Sequence, residues 1–144
     1  MSAIDNVRKG LEAWERGDST TLAGLLTDDF TLSGPMPQPL NKEQFLALGR
    51  ALHTAIPDWK FNASDFREEG DQVRVTVAIT GTHTGVLAAI PGVPAVPPTG
   101  KSIHLPTEHL TYTMRGELAA AQIVGSVPGG GVPGLYAQVG APLG

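Results

Sequence analysis

The sequence predicts an α+β fold, with helices packed on one face of an antiparallel sheet. Apolar residues recur every three or four positions through most of residues 2–56, which is the period of a helix. From residue 59 onwards apolar and polar residues alternate, which is the period of a strand. Helices that precede a run of strands, instead of alternating with them, favour an α+β architecture.

Three helices are predicted in the first part of the chain. The first covers residues 2–16, and Asp18 or the serine after it can cap a short second helix. Asn41 can cap the third helix with Gln44 as its capping-box partner, and this helix should end near Pro57. The apolar positions that define the helices are Ile4, Val7, Leu11 and Trp14, then Leu22, Leu25 and Leu26, then Phe45, Leu48, Leu52 and Ile56.

Strands are predicted where the period changes to two. A proline-rich loop at 86–100 precedes the last two strands, and a Gly- and Pro-rich tail at 128–144 follows them. One or two helical turns are expected within the tail, and the length suits a single domain of residues 1–144. The predicted strands are residues 28–32, 59–65, 73–79, 103–114 and 118–127.

The strand at 103–114 carries a carboxylate on its apolar face. Glu108 has the same parity as Leu110, Tyr112 and Met114, and the opposite parity is far more polar. Because side chains alternate between the faces of a strand, Glu108 should point along the core-facing side. Burial would raise the pKa of such a carboxyl group, which suits acid–base work near neutral pH.

The hairpin register predicts which residues accompany Glu108. A three-residue turn at 115–117 would place Glu108 opposite Val124 and Tyr112 opposite Ala120. Gln122 and Ser126 would then share the face of Glu108 and Tyr112. A few convergent polar groups on an apolar wall are typical of a ligand site. The predicted ligand-facing residues are Tyr112, Gln122, Ser126, Trp59 and His83.

Glu108 and His83 each have a structural interpretation as well as the functional one. Glu108 could instead lie in solvent or pair with Lys101 or an arginine. His83 lies in a turn bounded by Gly81 and Gly85, where it could carry a proton at the cavity rim or fix the turn by hydrogen bonding. Both alternatives remain open from the sequence.

Composition excludes several classes of function. The net charge is −4 with no basic cluster, which argues against nucleic acid as a partner. There are no cysteines, and the four histidines show no metal-binding spacing, so neither a metal nor a cofactor is predicted. No apolar run is long enough to span a membrane and no secretory signal is visible, so the expected location is the cytoplasm.

Several short motifs occur in an order that points to a known family. Singly they are weak, but together they resemble the SnoaL-like polyketide cyclase branch, including the ester cyclases, of the nuclear transport factor 2-like superfamily. The motifs are Asp29-Phe30, Ile56-Pro57-Asp58, Glu69-Gly70-Asp71, Thr80-Gly81-Thr82-His83-Thr84-Gly85, Pro98-Thr99-Gly100-Lys101 and the run 134–140.

The resemblance implies a cone-shaped fold, an internal cavity and a homodimer. It also implies an aspartate on the last strand as the general acid or base, and this chain departs from that pattern. Counted from Gly116 the aspartate position holds Ser126, and counted back from Gly134 it holds Gly131. The loop before Pro98 is also longer than is usual in the family.

Three functions therefore follow as expectations. The chain could bind a small apolar or carbonyl-bearing ligand and act on it as a cyclase or isomerase, with Glu108 as the acid–base group. Alternatively, it could be a non-catalytic binding protein, or a dimeric interaction protein that uses the polar outer face of the sheet. That face is predicted to carry Thr107, His109, Thr111 and Thr113.

Overall fold

The structure is a computed structural model and describes residues 3–34 and 38–143. Its helices are α1 (Ala3–Arg16), α2 (Ser19–Ala23), α3 (Lys42–Ala55) and α4 (Gly131–Gln138). Its strands are β1 (Leu26–Ser33), β2 (Leu40–Asn41), β3 (Ser64–Glu69), β4 (Gln72–Val77), β5 (Thr80–Thr82), β6 (Ser102–His104), β7 (Glu108–Arg115) and β8 (Leu118–Val124).

The helices begin where the sequence supplies caps. The Asp18 carboxylate accepts a hydrogen bond from the Thr21 backbone N–H at the start of α2. At the start of α3, Asn41 and Gln44 form the predicted capping box, in which each side chain bonds the other's backbone N–H at 2.9 Å. The end of α3 at Ala55, two residues before Pro57, also agrees with the prediction.

Six strands form the main sheet in the order β2-β1-β8-β7-β4-β3, and β5 and β6 form a separate two-stranded sheet. All neighbours are antiparallel except β1 and β8, which run parallel. The register shifts within three of the pairs, and such bulges bend strands. The predicted α+β cone is confirmed, with the parallel β1–β8 pair as the departure from a purely antiparallel sheet.

Two predicted strands have different limits in the structure. The strand expected at 59–65 begins only at Ser64, because Asn62 (φ 50°) adopts a left-handed backbone conformation that interrupts a regular strand. Asp65 (φ 53°) lies within β3, where the register with β4 shifts between Ser64 and Arg67. The strand expected at 103–114 is divided into β6 and β7. Pro106 lies between them, and it lacks the N–H that a continuous ladder requires.

The predicted hairpin register is wrong by two residues. Arg115 pairs with Leu118, so the turn contains only Gly116 and Glu117, with Gly116 at φ 66°. A bulge then makes Ala120 the extra residue of β8. Tyr112 consequently lies opposite Gln122, and Leu110 lies opposite Val124. The parity of β7 is nevertheless as predicted, with alternate residues buried from Glu108 to Met114.

Candidate functional site

An apolar cavity of about 120 Å³ lies between the helices and the inner face of the sheet. An engineered cavity of about 150 Å³ holds benzene, so this space suits a ring-sized apolar group. Side chains of α1 and α3, of residues 59–61 and of strands β7 and β8 contribute to its lining. Glu108 is the only carboxylate among the described residues that line it, and none of those residues is a lysine, arginine or histidine.

Glu108 is placed at the first position of β7 and is 2% exposed. Its Oε1 accepts a hydrogen bond of 3.1 Å from the backbone N–H of Gly131, whereas its Oε2 has no partner among the described residues. Burial raises the pKa of the Glu108 carboxyl group, and the Gly131 N–H only partly offsets this shift. The carboxyl group therefore has one anchored oxygen and one oxygen available to a ligand.

The start of α4 covers this end of the cavity. Gly131 has φ 66°, a conformation that glycine adopts without strain, and this orients its N–H towards Glu108. At Gly130 a Cβ would lie 3.1 Å from the Glu108 carboxyl carbon and 2.5 Å from Val127 Cγ2. Two consecutive glycines thus let the backbone pack directly against the carboxyl group.

Tyr112 and Gln122 form a second polar centre on the same wall. They are buried, lie opposite each other on β7 and β8, and line the cavity. Burial raises the pKa of the Tyr112 hydroxyl, so this group is a neutral hydrogen-bond donor. Burial is the only cause of this shift, and no hydrogen bond to the hydroxyl contributes to it.

Aromatic rings form the wall contributed by the helices. Trp14 lies 5.4 Å from Phe45 and 5.9 Å from Trp59 between ring centroids, and Phe61 completes the group. The indole Nε1 atoms of Trp14 and Trp59 are buried and have no hydrogen-bond partner among the described residues. Trp59 thus lines the cavity, beside the tryptophan of α1 that sequence reasoning assigned only to the core.

His83 lies outside the cavity lining, although it is fully buried. Its Nδ1 is 2.9 Å from the Thr99 hydroxyl oxygen and also accepts a hydrogen bond from the Thr99 backbone N–H. Burial lowers the pKa of His83, with partial opposition from the Gly85 backbone. The surrounding backbone continues the network, since Gly100 N–H donates to the His83 carbonyl and His83 N–H donates to the Lys101 carbonyl.

Neighbouring motif residues join the same network. The Asp58 carboxylate accepts hydrogen bonds from the backbone N–H and the hydroxyl of Thr82, at 2.7 and 2.9 Å. The backbone N–H groups of Thr84 and Gly85 donate to the Ala55 carbonyl. The motifs around residues 56–58, 80–85 and 98–101 therefore meet in one cluster that joins the end of α3 to β5 and the proline-rich loop.

The structure brings only part of the predicted ligand set together. Glu108, Tyr112, Gln122 and Trp59 line one cavity, whereas Ser126 is exposed and lies beyond the end of β8. Sequence reasoning missed the contact between Gly131 and Glu108. The only signal for it is the glycine run at 129–131, which by itself also fits a flexible connector.

Across residues 3–34 and 38–143, no three or more His, Asp or Glu side chains are grouped closely enough to hold a metal ion. In the same ranges no helix combines the length and apolar character needed to cross a membrane.

A curved sheet closed by helices around an apolar cavity defines the nuclear transport factor 2-like class of proteins. The chain belongs to the SnoaL-like domain family, whose sequence profile matches residues 7–123. No curated protein matches the sequence significantly.

Solved structures share this fold. A proposed SnoaL-like polyketide cyclase from a Jannaschia species is 17% identical, with a TM-score of 0.76 over 97% of this chain and 93% of that chain. IdmH, a proposed polyketide cyclase from Streptomyces antibioticus, is 22% identical, with a TM-score of 0.70 over 86% and 91%. AclR, a proposed hydroxylase from Streptomyces galilaeus, is 17% identical, with a TM-score of 0.75 over 96% and 80%. At these identities the comparisons show a shared fold and not a shared activity.

Proposed function

We propose that the protein binds a small apolar ligand bearing a carbonyl group and moves a proton on it, with Glu108 as the acid–base group. One observation carries this proposal. The only carboxylate in the described lining is buried, its Oε1 is held by Gly131, and its Oε2 has no partner. A carboxyl group with a raised pKa in a cavity is a candidate for general acid–base catalysis.

The proposed chemistry is proton transfer next to the carbonyl group. Ionised Glu108 takes a proton from the carbon beside the carbonyl; the C–H bond breaks, an O–H bond forms on Glu108, and the ligand becomes an enolate. Returning the proton to another carbon gives an isomer, whereas attack of the enolate on a second carbonyl closes a ring, as in a cyclase. Both routes need a donor near the enolate oxygen, and the indole N–H groups of Trp14 and Trp59 are unpartnered donors in the lining.

Hydrogen exchange tests this proposal without knowledge of the natural substrate. The probe is acetophenone, in which a single ring carries an acetyl group, and proton NMR in deuterium oxide follows loss of the methyl hydrogens. We expect Glu108→Gln to slow the protein-dependent exchange by about 10²–10⁴-fold. Calorimetry should show that the variant still binds the probe, because glutamine keeps the size and the Gly131 contact of the side chain.

Ser126→Ala is the matched control, because Ser126 was predicted to face the ligand and lies exposed beyond β8. This variant should exchange at the wild-type rate. Binding of the probe without protein-dependent exchange would reject the catalytic role and leave the non-catalytic binding function that the sequence also allows.

We also propose that two copies pair through the outer face of the sheet. Ile123 is 47% exposed on that face, between Ser33 of β1 and Thr111 of β7. A single exposed apolar residue is common on protein surfaces, so the proposal rests mainly on the homodimer that the family resemblance implies. Light scattering after gel filtration should give twice the mass of one chain, and Ile123→Lys should give the mass of one. A single-chain mass for the wild type would reject the proposal. Such a dimer would be expected in the cytoplasm.

A further inference from the structure

Gly10 lies in the middle of α1, where an alanine would form a more stable helix. Glycine has the greatest backbone freedom to lose on folding, so it is among the poorest helix formers. Replacing a glycine inside a helix by alanine therefore stabilises a protein wherever the new methyl group fits. A glycine at such a position needs a reason, which either packing or a ligand can supply.

Packing within the protein does not require this glycine. Outside its own helix, a Cβ at Gly10 would have two atoms within 4 Å, Cδ1 of Leu22 at 3.7 Å and Cδ1 of Leu25 at 3.9 Å, and both are ordinary van der Waals contacts. Gly49 in α3 is the opposite case, because a Cβ there would lie 3.1 Å from the Trp14 ring. Gly49 thus makes room for a side chain of this protein, whereas the space beside Gly10 stays largely open.

That open space is part of the cavity. Gly10, Leu22 and Leu25 all contribute to the lining. Asn6 and Trp14, one helical turn before and one after Gly10, line the cavity as well. Because Gly10 has no side chain, α1 has a recess between these two neighbours, and the two leucines offer that recess only apolar atoms.

Polar atoms without partners lie elsewhere in the same lining. Glu108 and Trp59 are buried, and neither Glu108 Oε2 nor Trp59 Nε1 has a partner among the described residues. Glu108 belongs to the sheet and Gly10 to a helix, so they face the cavity from different walls. A ligand can therefore direct a carbonyl group towards Glu108 and place an apolar group in the recess at Gly10.

We propose that Gly10 determines the specificity of the cavity, and that its recess holds the ring of a ketone with a single six-membered ring. This inference rests on the proposed function, because the carbonyl group of the same ligand is assigned to Glu108. The cavity volume of about 120 Å³ limits the ligand to one ring, given that about 150 Å³ holds one benzene molecule. A methyl group at position 10 would occupy part of the space that the ring needs.

The variant Gly10→Ala tests the inference with acetophenone and with benzene, which has the ring and no carbonyl group. Without a ligand, the variant should unfold at a temperature about 3 °C higher than the wild type, because alanine favours the helix. Calorimetry should show that the variant binds both probes about tenfold more weakly, because the methyl group competes with the ring. Higher stability combined with weaker binding of a plain ring is the result expected of a glycine that makes room for a ligand.

Gly24→Ala is the matched control. Gly24 follows α2 with a helical backbone conformation (φ −69°), is exposed and lies outside the cavity lining. A Cβ at Gly24 would make only ordinary contacts, the shortest of them 3.5 Å. This variant should bind both probes with the Kd values of the wild type.

Unchanged Kd values in Gly10→Ala would overturn the inference. A lower unfolding temperature would also overturn it, because packing would then require the glycine. Both results would leave the proposed function intact, since hydrogen exchange on acetophenone tests that function in the wild type. An acetylnaphthalene, with two fused rings, should bind the wild type more weakly than acetophenone, and equal or tighter binding would overturn the assignment of a single ring. Failure of the wild type to bind either acetophenone or benzene would reject the proposed function together with the inference.

Discussion

Glu108 and His83 are alike in burial and differ in what surrounds them. Glu108 is 2% exposed and His83 is 0% exposed, and each has one partnered polar atom and one unpartnered polar atom. Burial raises the pKa of Glu108 and lowers the pKa of His83, so both shifts favour the neutral form of the side chain. However, Glu108 lines the cavity, whereas His83 is enclosed by the turn that contains it and by the proline-rich loop.

The difference shows that burial with a shifted pKa does not by itself define a functional site. Structural hydrogen-bond networks shift pKa values as well. His83 belongs to the motif that carries the family resemblance, yet its contacts and those of Asp58 join backbone segments. The motifs therefore support the fold, while the cavity wall holds the residues to which we assign the proposed chemistry.

The largest expected effect is a loss of stability on substitution of a glycine near His83, which exceeds the loss at the corresponding glycine beside Glu108. At Gly85, near His83, a Cβ would overlap the Thr54 carbonyl oxygen, which belongs to the backbone and cannot move away. We expect Gly85→Ala to lower the free energy of unfolding by at least about 3 kcal/mol, as measured by urea denaturation.

Gly130→Ala is the matched change beside Glu108. Its Cβ would meet the side chain of Val127, which can rotate, and the carboxyl group of Glu108. We expect a loss of only about 1 kcal/mol, together with slower hydrogen exchange on the acetyl probe. Similar losses of stability in the two variants would contradict this contrast between the two regions. A change in the exchange rate of the folded protein for Gly85→Ala alone would also contradict it.

A smaller effect concerns the pH dependence of stability, to which Glu108 and His83 contribute with opposite signs. The folded-state pKa of His83 is lowered below 6.5, so its contribution to stability is present above pH 6.5 and is lost as pH falls through the folded value. The folded-state pKa of Glu108 is raised above 4.5, so its contribution is present below pH 4.5 and is lost as pH rises through the folded value.

Denaturation across this pH range can measure the two contributions. Relative to the wild type, Glu108→Gln should gain stability as pH rises from 4.5, because glutamine has no charge to bury. His83→Asn can keep an acceptor near the position of Nδ1. The stability that this variant loses relative to the wild type should shrink as pH falls below 6.5. Differences that stay constant with pH would show that neither group is held in its neutral form by burial.

Local features were predictable from the sequence, and pairings between distant segments were not. The parity of β7 and the capping box of α3 depend on neighbouring residues, and both agree with the structure. The hairpin register was wrong because a two-residue turn and a bulge at Ala120 replaced a regular three-residue turn. Ser126 was placed on the cavity face by extending β8, which ends at Val124.

The candidate site shows the same division. Alternation identified Glu108 and Tyr112 as core-facing, and the parity of Gln122 survived the register error because the shift was two residues. Trp14 followed the helical period and gave no sign that it lines a cavity. The parallel pairing of β1 with β8 and the Gly131 contact join segments far apart in sequence, which local patterns do not specify.

The hydrogen bond from Gly131 to Glu108 also has a consequence for the order of events during synthesis. Gly131 follows Glu108 by 23 residues, so β7 leaves the ribosome before the segment that covers its carboxylate. Until that segment emerges, water can solvate the Glu108 side chain. Dehydration of the carboxyl group is thereby deferred until β8 has been made, so the nascent chain does not bury a charge before its sheet can form.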